Sequence, residues 1–421
     1  MRRGPLDDGL TLGPWGGDVH HMDCPAGCRG NPARPAVLAR DGALPPQQRR
    51  PMQSIRKIEE LESLRGIAAL LVVFFHMPKW HPALMNPLFD NAYLMVELFF
   101  VLSGFVIQTA YGNALQSGAA VLRFQFLRFA RLYPVHLLFL LVFLGIELAK
   151  WLIITKTGVD DPATAPFAVN DLRAFVENLF LLNGVLLGRP LTFNYPAWSI
   201  SVEFWTYLIF ALTVLWLRAW RLVVFVLLAT GALTLLASGA AAGWENILKC
   251  AAGFFLGCVT AALVQHRPQR LPAWTVPLAF FIMLAFLLTK PPHLLDLAIF
   301  PLSVALVFAL VSAGDSGLTR TLRRPALVWL GTVSYPVYMS HAAMLWVANQ
   351  IVRFSGTRPE AADATGRMIP QLPLSLTILA ALAVVATVLV ISSVVHLWVE
   401  QPLRDRSRRA HLVRRAEAVA E

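Results

Sequence analysis

Apolar residues recur along this chain in long runs, and polar residues are confined to the gaps and to a few positions inside the runs. The runs lie at about 58–78, 91–111, 132–154, 197–217, 221–239, 246–265, 273–290, 294–313, 326–352 and 373–399. Their lengths approach the roughly twenty residues an α-helix needs to cross about 30 Å of hydrocarbon. In that medium only a helix or a closed barrel satisfies its own backbone. The pattern predicts an all-α polytopic membrane protein with about ten transmembrane helices. Pro291-Pro292 and Pro301 interrupt the seventh and eighth runs. A further apolar piece, Phe175 to Leu187, is too short to span and is expected to lie on or dip into the outer interface.

Composition agrees with this reading. The chain has 421 residues, of which 57% are hydrophobic and 14% charged, against about 25% charged in a soluble globular domain. Residues 1–51 are rich in Pro and Gly, lack periodicity, and are expected to form a disordered cytoplasmic tail. No apolar signal-type stretch follows Arg2 and Arg3. The membrane domain is assigned to 52–404, and 405–421 to a basic cytoplasmic tail. Four cysteines are too few for a disulfide framework; Cys24 and Cys28, near His20 and His21, make at most half a zinc site.

The net charge of +11 is read as a topology signal. Arg49, Arg50, Arg56 and Lys57 precede the first run. Arg123, Arg128 and Arg131 follow the second, Arg218 and Arg221 the fourth, Arg267 and Arg270 the sixth, and Arg320, Arg323 and Arg324 the eighth; more arginines follow the tenth. These clusters fall on one side of a ten-span chain, which predicts both termini in the cytoplasm. Arginines in short clusters between apolar runs argue against nucleic-acid binding; the expected surroundings are membrane lipids.

Ionisable residues inside membrane helices are costly and are functional candidates by default. Arg65 and His76 are eleven residues apart in the first run. That spacing puts them within about 20° of one helix face and roughly 16 Å apart along the axis. Snorkelling of Arg65 to headgroups is the plainer reading of that residue. Arg128 and Arg131, at i and i+3, read as positive-inside anchors or as a paired guanidinium site for phosphates. Ser199, Glu203 and Tyr207 form a polar stripe at i, i+4, i+8. Glu97 shares a face with Gly104 and Gln108, and Ser103-Gly104 would allow close helix approach. Ser334, Tyr338 and His341 form a third stripe, which reads as a site or as glue between helices.

The order of these pieces resembles the acyltransferase 3 family of integral membrane acyltransferases. The matching stretches are LESLRGIAALLVVFFH (61–76), ELFFVLSGFVI (97–107), RFARLYP (128–134), AWSISVEFWTY (197–207), SYPVYMSH (334–341) and VEQPLR (399–404). The family's arginine–ten residues–histidine pattern falls on Arg65 and His76, and its arginine–two residues–arginine pattern on Arg128 and Arg131. The resemblance implies an acyl group taken from a cytoplasmic acyl-CoA, acetyl-CoA first among the donors, and delivered to a hydroxyl of a cell-surface polysaccharide, lipid-linked sugar or other glycoside. It implies a multi-pass protein of the cytoplasmic membrane. The fused SGNH hydrolase-like domain of some relatives is not expected, since only 400–421 follow the tenth run.

Acyl transfer to a hydroxyl requires a base or an acyl-carrying nucleophile. His76 is the expected base or acyl relay, with Glu203 orienting it as a carboxylate orients histidine in a triad. Arg65, Arg128 and Arg131 are expected to hold the donor phosphates. Glu97, Ser199, Tyr207, Tyr338 and His341 are expected to line the pocket. No metal and no permanently bound cofactor are required. The competing reading is a non-catalytic transporter of a lipid-linked sugar or small solute, for which buried charges are equally at home.

Overall fold

The computed structural model describes residues 58–409 apart from 159–164, 187, 189, 267–269, 292, 294, 357, 363–367 and 408. The amino-terminal tail with Cys24 and Cys28, and the carboxy-terminal residues from 410, lie outside the described residues. Within them, every one of the apolar runs is helical. The helices are α1 (Glu59–His76), α2 (Pro87–Asp90), α3 (Met95–Tyr111), α4 (Gly118–Thr157), α5 (Leu172–Leu179), α6 (Trp198–Trp216), α7 (Arg221–Ala237), α8 (Glu245–His266), α9 (Thr275–Thr289), α10 (Ile299–Ser312), α11 (Gly317–Leu322), α12 (Pro325–Thr332), α13 (Ser334–Phe354) and α14 (Leu374–Val395). The described strands are β1 (Glu360–Ala362) and β2 (Met368–Pro370), paired antiparallel in the loop between α13 and α14.

Among the described residues, five helical stretches are long and apolar enough to cross a membrane by length and composition: Ala92–Tyr111, Gly118–Thr157, Tyr195–Trp216, Glu245–His266 and Leu374–Ser407. Helices α7, α9 and α10 are apolar but shorter. Helices α1 and α13 are more polar. The first carries Glu59, Glu60, Glu62 and Arg65 near its start; the second carries Tyr335, Tyr338, Ser340 and His341.

Those two polar helices sit inside the bundle. One face of α1, with Leu61, Leu64, Ala68 and Val72, enters the main apolar cluster built with α3, α4, α6 and α8. Another, with Ala69, Val73 and Met77, enters a second cluster with α13 and α14. The Arg65–His76 stripe runs between these two faces, flanked by Ala68 and Val72 on one side and by Ala69 and Val73 on the other. Against it pack α12, α13 and α3. Apolar burial does not drive helix association in lipid, so close packing has to. Between α3 and α8 glycines supply it: a Cβ on Gly104 would lie 1.8 Å from the Phe254 carbonyl oxygen, and one on Gly257 would lie 2.1 Å from that of Val101.

Two elements differ from expectation. The arginines of 123–131 are not in a loop but in the first third of the 40-residue α4. At about 60 Å this helix is far longer than a bilayer core is thick. The ninth run is broken at Val333 into α12 and α13, and Pro336 sits in the first turn of α13, where a missing N–H costs nothing. The loop between α4 and α6 folds inward. Its helix α5 is capped by Asp171, whose Oδ1 accepts from the Ala174 amide at 2.7 Å. Tyr133 and Trp205 donate to the carbonyls of Leu179 and Leu181. Leu181, Asn183, Phe193 and Asn194 are buried. The short apolar piece thus dips into the bundle.

Candidate active site

Ser334, Tyr335 and Tyr338, on the first turns of α13, face a cavity lined also by Arg65 of α1, Arg128 and Arg131 of α4, Ser103 of α3, and Ser199, Glu203 and Tyr207 of α6. Five helices bring together residues that lie as far apart in sequence as Arg65 and Tyr338. All three arginines are therefore in one place. Arg128 is buried, its Nη2 lies 3.3 Å from the Tyr111 hydroxyl, and its guanidinium sits over the rings of Tyr111 and Phe124 at 5.4 and 5.8 Å. Stacking of this kind orients the plane of the fork. Arg65 and Arg131 form no ion pair within 4 Å among the described residues, although Glu400, Glu62 and Glu203 act electrostatically on Arg131.

Glu203 belongs to this cavity. Its Oε1 accepts from the Tyr207 hydroxyl at 2.6 Å, and that hydroxyl lies 2.9 Å from Ser103 Oγ. Spacing of i and i+4 on α6 is sufficient cause for the pair. The expected partnership of Glu203 with His76 is not formed: no hydrogen bond or ion pair joins them. The reason is axial position. Glu203 stands at the level of the arginines, whereas His76 ends α1 about 16 Å farther along the axis from Arg65.

His76 has other neighbours. Its Nδ1 lies 3.1 Å from the Val72 carbonyl oxygen and 3.0 Å from His341 Nε2. The two imidazoles meet nearly edge to edge with centroids 5.0 Å apart and planes 27° from parallel, and the Tyr195 ring meets His76 edge-on at 5.0 Å. His341 was expected to line the pocket with the others; it instead closes against His76. Tyr338 connects the two places. It lines the cavity, its ring lies 5.7 Å from that of His341, and its hydroxyl accepts from Ser199 Oγ at 2.9 Å and donates to the Pro196 carbonyl at 3.0 Å.

Glu97 is the remaining correction. It is buried on α3, but its Oε1 faces Lys249 Nζ of α8 at 3.4 Å, and it does not line the cavity. Val96, Phe99, Phe100 and Ser103 take the cavity face of α3, and position 97 is turned away from them by the helical period. Sequence reasoning missed Tyr195. It sits between Asn194 and Pro196, immediately before the polar stripe of α6, and Asn194 holds that turn to α13 by donating to the Met339 carbonyl at 3.0 Å. An aromatic residue beside a helix-opening proline next to a polar stripe was the available signal.

Comparison with known proteins identifies the family. A family model described as an acyltransferase domain, that of acyltransferase 3, matches residues 58–396. The chain is 26% identical over 385 residues to acyltransferase MdmB of Streptomyces mycarofaciens, covering 82% of this chain and 91% of that protein. It is 35% identical over 154 residues to protein 2 in the picA locus of Rhizobium radiobacter, covering 34% of this chain and 75% of that protein. No solved structure matches. With most of its length inside the family model, and with long apolar helices around its polar core, the chain belongs to the acyltransferase 3 family and is a membrane acyltransferase.

Proposed function

We propose that this acyltransferase takes an acetyl group from cytoplasmic acetyl-CoA and transfers it to a hydroxyl of a cell-surface polysaccharide, lipid-linked sugar or other glycoside. The observation that carries the reading is the division of the site along α1. Three arginines gather in a cavity around one end, and a histidine pair closes the other. Arg65, Arg128 and Arg131 bind the donor phosphates, with Glu203 and Tyr207 setting the polar wall beside them. The pantetheine arm runs past Tyr338 toward His76. His76 Nε2 takes the proton of the acceptor hydroxyl as its oxygen attacks the thioester carbonyl, and returns it to the departing thiolate, so that ester and free CoA thiol are the products. In this scheme the chain crosses the cytoplasmic membrane ten times with both termini inside, which puts Arg65 at the cytoplasmic face.

The test is covalent. Membranes containing the wild-type protein and labelled acetyl-CoA should yield a labelled glycoconjugate. His76→Ala should insert normally and yield none. Full labelling by the variant would remove His76 from the chemistry, and delivery of an unmodified sugar across the membrane without label would turn the proposal toward transport.

A further inference from the structure

His76 is held by a second histidine, and the geometry says how. The Val72 carbonyl at 3.1 Å can only accept, so His76 Nδ1 carries its hydrogen. His341 Nε2, 3.0 Å from the same nitrogen, is then the unprotonated nitrogen of its ring and accepts from it. His341 bears its own hydrogen on Nδ1, a buried atom that faces the Val337 and Tyr338 backbone of its own helix without a well-aligned hydrogen bond. The ring is wholly buried on α13, with Val337, Ala342 and Leu345 buried nearby along the same helix. An apolar side chain of similar volume would fill the same space without burying a polar atom whose hydrogen bond to its own helix is poorly aligned. What the imidazole gains there is its bond to His76.

We propose that His341 is a positioning residue for His76. This rests on the reading of His76 as the base. The lone pair on His341 Nε2 holds the His76 ring in plane and keeps its resting hydrogen on Nδ1, so that Nε2 presents a free lone pair to the acceptor. In the forward step the acceptor proton moves to His76 Nε2 and the acceptor oxygen bonds to the thioester carbonyl carbon. Collapse of the tetrahedral intermediate breaks the carbon–sulfur bond, and the thiolate takes the proton from Nε2. His341 gains and loses no atom. Its hydrogen bond is strongest while His76 is an imidazolium, because a bond to a charged donor exceeds one between neutral groups. The carboxylate of a catalytic triad has the same task; here a neutral ring performs it.

The experiment compares His341→Leu, His341→Gln and His76→Ala in the full-length protein, in isolated membranes, with labelled acetyl-CoA and the native acceptor. His341→Leu should lower kcat by about 10- to 150-fold, the range spanned by a hydrogen bond to a charged group, with KM for acetyl-CoA unchanged. His341→Gln places an amide oxygen near the position of Nε2 and should restore most of the rate. A packing role predicts the opposite order, since leucine fills an apolar site and glutamine buries an unmatched amide. Wild-type kcat in His341→Leu, or leucine ranking with or above glutamine, overturns the proposal. If His341→Leu fails to assemble, as judged by monodisperse elution in detergent, His341→Met carries the same comparison. The two readings separate cleanly. Activity in His76→Ala refutes His76 as the base and the proposal with it. An inactive His76→Ala beside a fully active His341→Leu refutes the proposal alone.

Discussion

Replacing Glu97 should weaken the bundle without disabling its chemistry. The carboxylate is buried between α3 and α8 with Oε1 3.4 Å from Lys249 Nζ, while the lysine side chain keeps 28% of its exposure. At an effective dielectric of about 20, two unit charges at that distance attract by roughly 5 kcal/mol. Partial exposure of the lysine screens this, and both groups were desolvated to reach each other, so Glu97→Gln is expected to cost about 2–3 kcal/mol. Lys249→Met should cost more, about 3–5 kcal/mol, because it strands a buried carboxylate. The stranding is severe here, since Oε2 already has no hydrogen-bond partner. The double variant removes both charges and should recover much of the loss. Unfolding of purified wild type, both single variants and the double variant in one detergent measures the cycle, and acetyl transfer by the same preparations reads function. Losses that add to within about 0.5 kcal/mol would show that the pair is not coupled. A stable Glu97→Gln protein without acetyl transfer would refute the structural role outright and return Glu97 to the active site.

Three further outcomes follow from the cavity, from the α3–α8 contact and from the open space beside α7. Arg131→Ala should weaken acetyl-CoA about 10- to 150-fold in KM while leaving turnover of acetyl-pantetheine, which lacks the phosphates, unchanged; equal losses with both donors would count against phosphate binding. Gly257→Val sets a Cβ 2.1 Å from the Val101 carbonyl oxygen and should destabilise by about 1–3 kcal/mol or more. Gly231→Ala on α7, with open space at its Cβ, should be neutral or gain up to about 1 kcal/mol in the same unfolding assay.

Much of this architecture is legible from local pattern. A helix in lipid needs a long apolar run and little else, so each run became helix in the structure. The i, i+4 rule likewise put Tyr207 on Glu203, and the family-like spacing of Arg128 and Arg131 put both on the cavity side of α4. Ser103-Gly104 was readable as a close approach, and Gly104 makes one. Such inferences hold because they depend on the period of one helix.

What failed or was missed depends on how helices are set against one another. Rotation of α3 about its axis turns Glu97 to Lys249 instead of the cavity. The level of α6 relative to α1 gives Glu203 to the arginines and leaves His76 to His341. The inward fold of the loop between α4 and α6 delivers Tyr195 to the His76 ring. The sequence by itself determined the membrane-helical class and which residues were too polar to be there by accident. Only the tertiary structure decided which polar residue meets which, because in a bundle whose lipid-facing surfaces are all alike the rotation and height of each helix are set by close packing at a few small residues, and a linear pattern does not contain them.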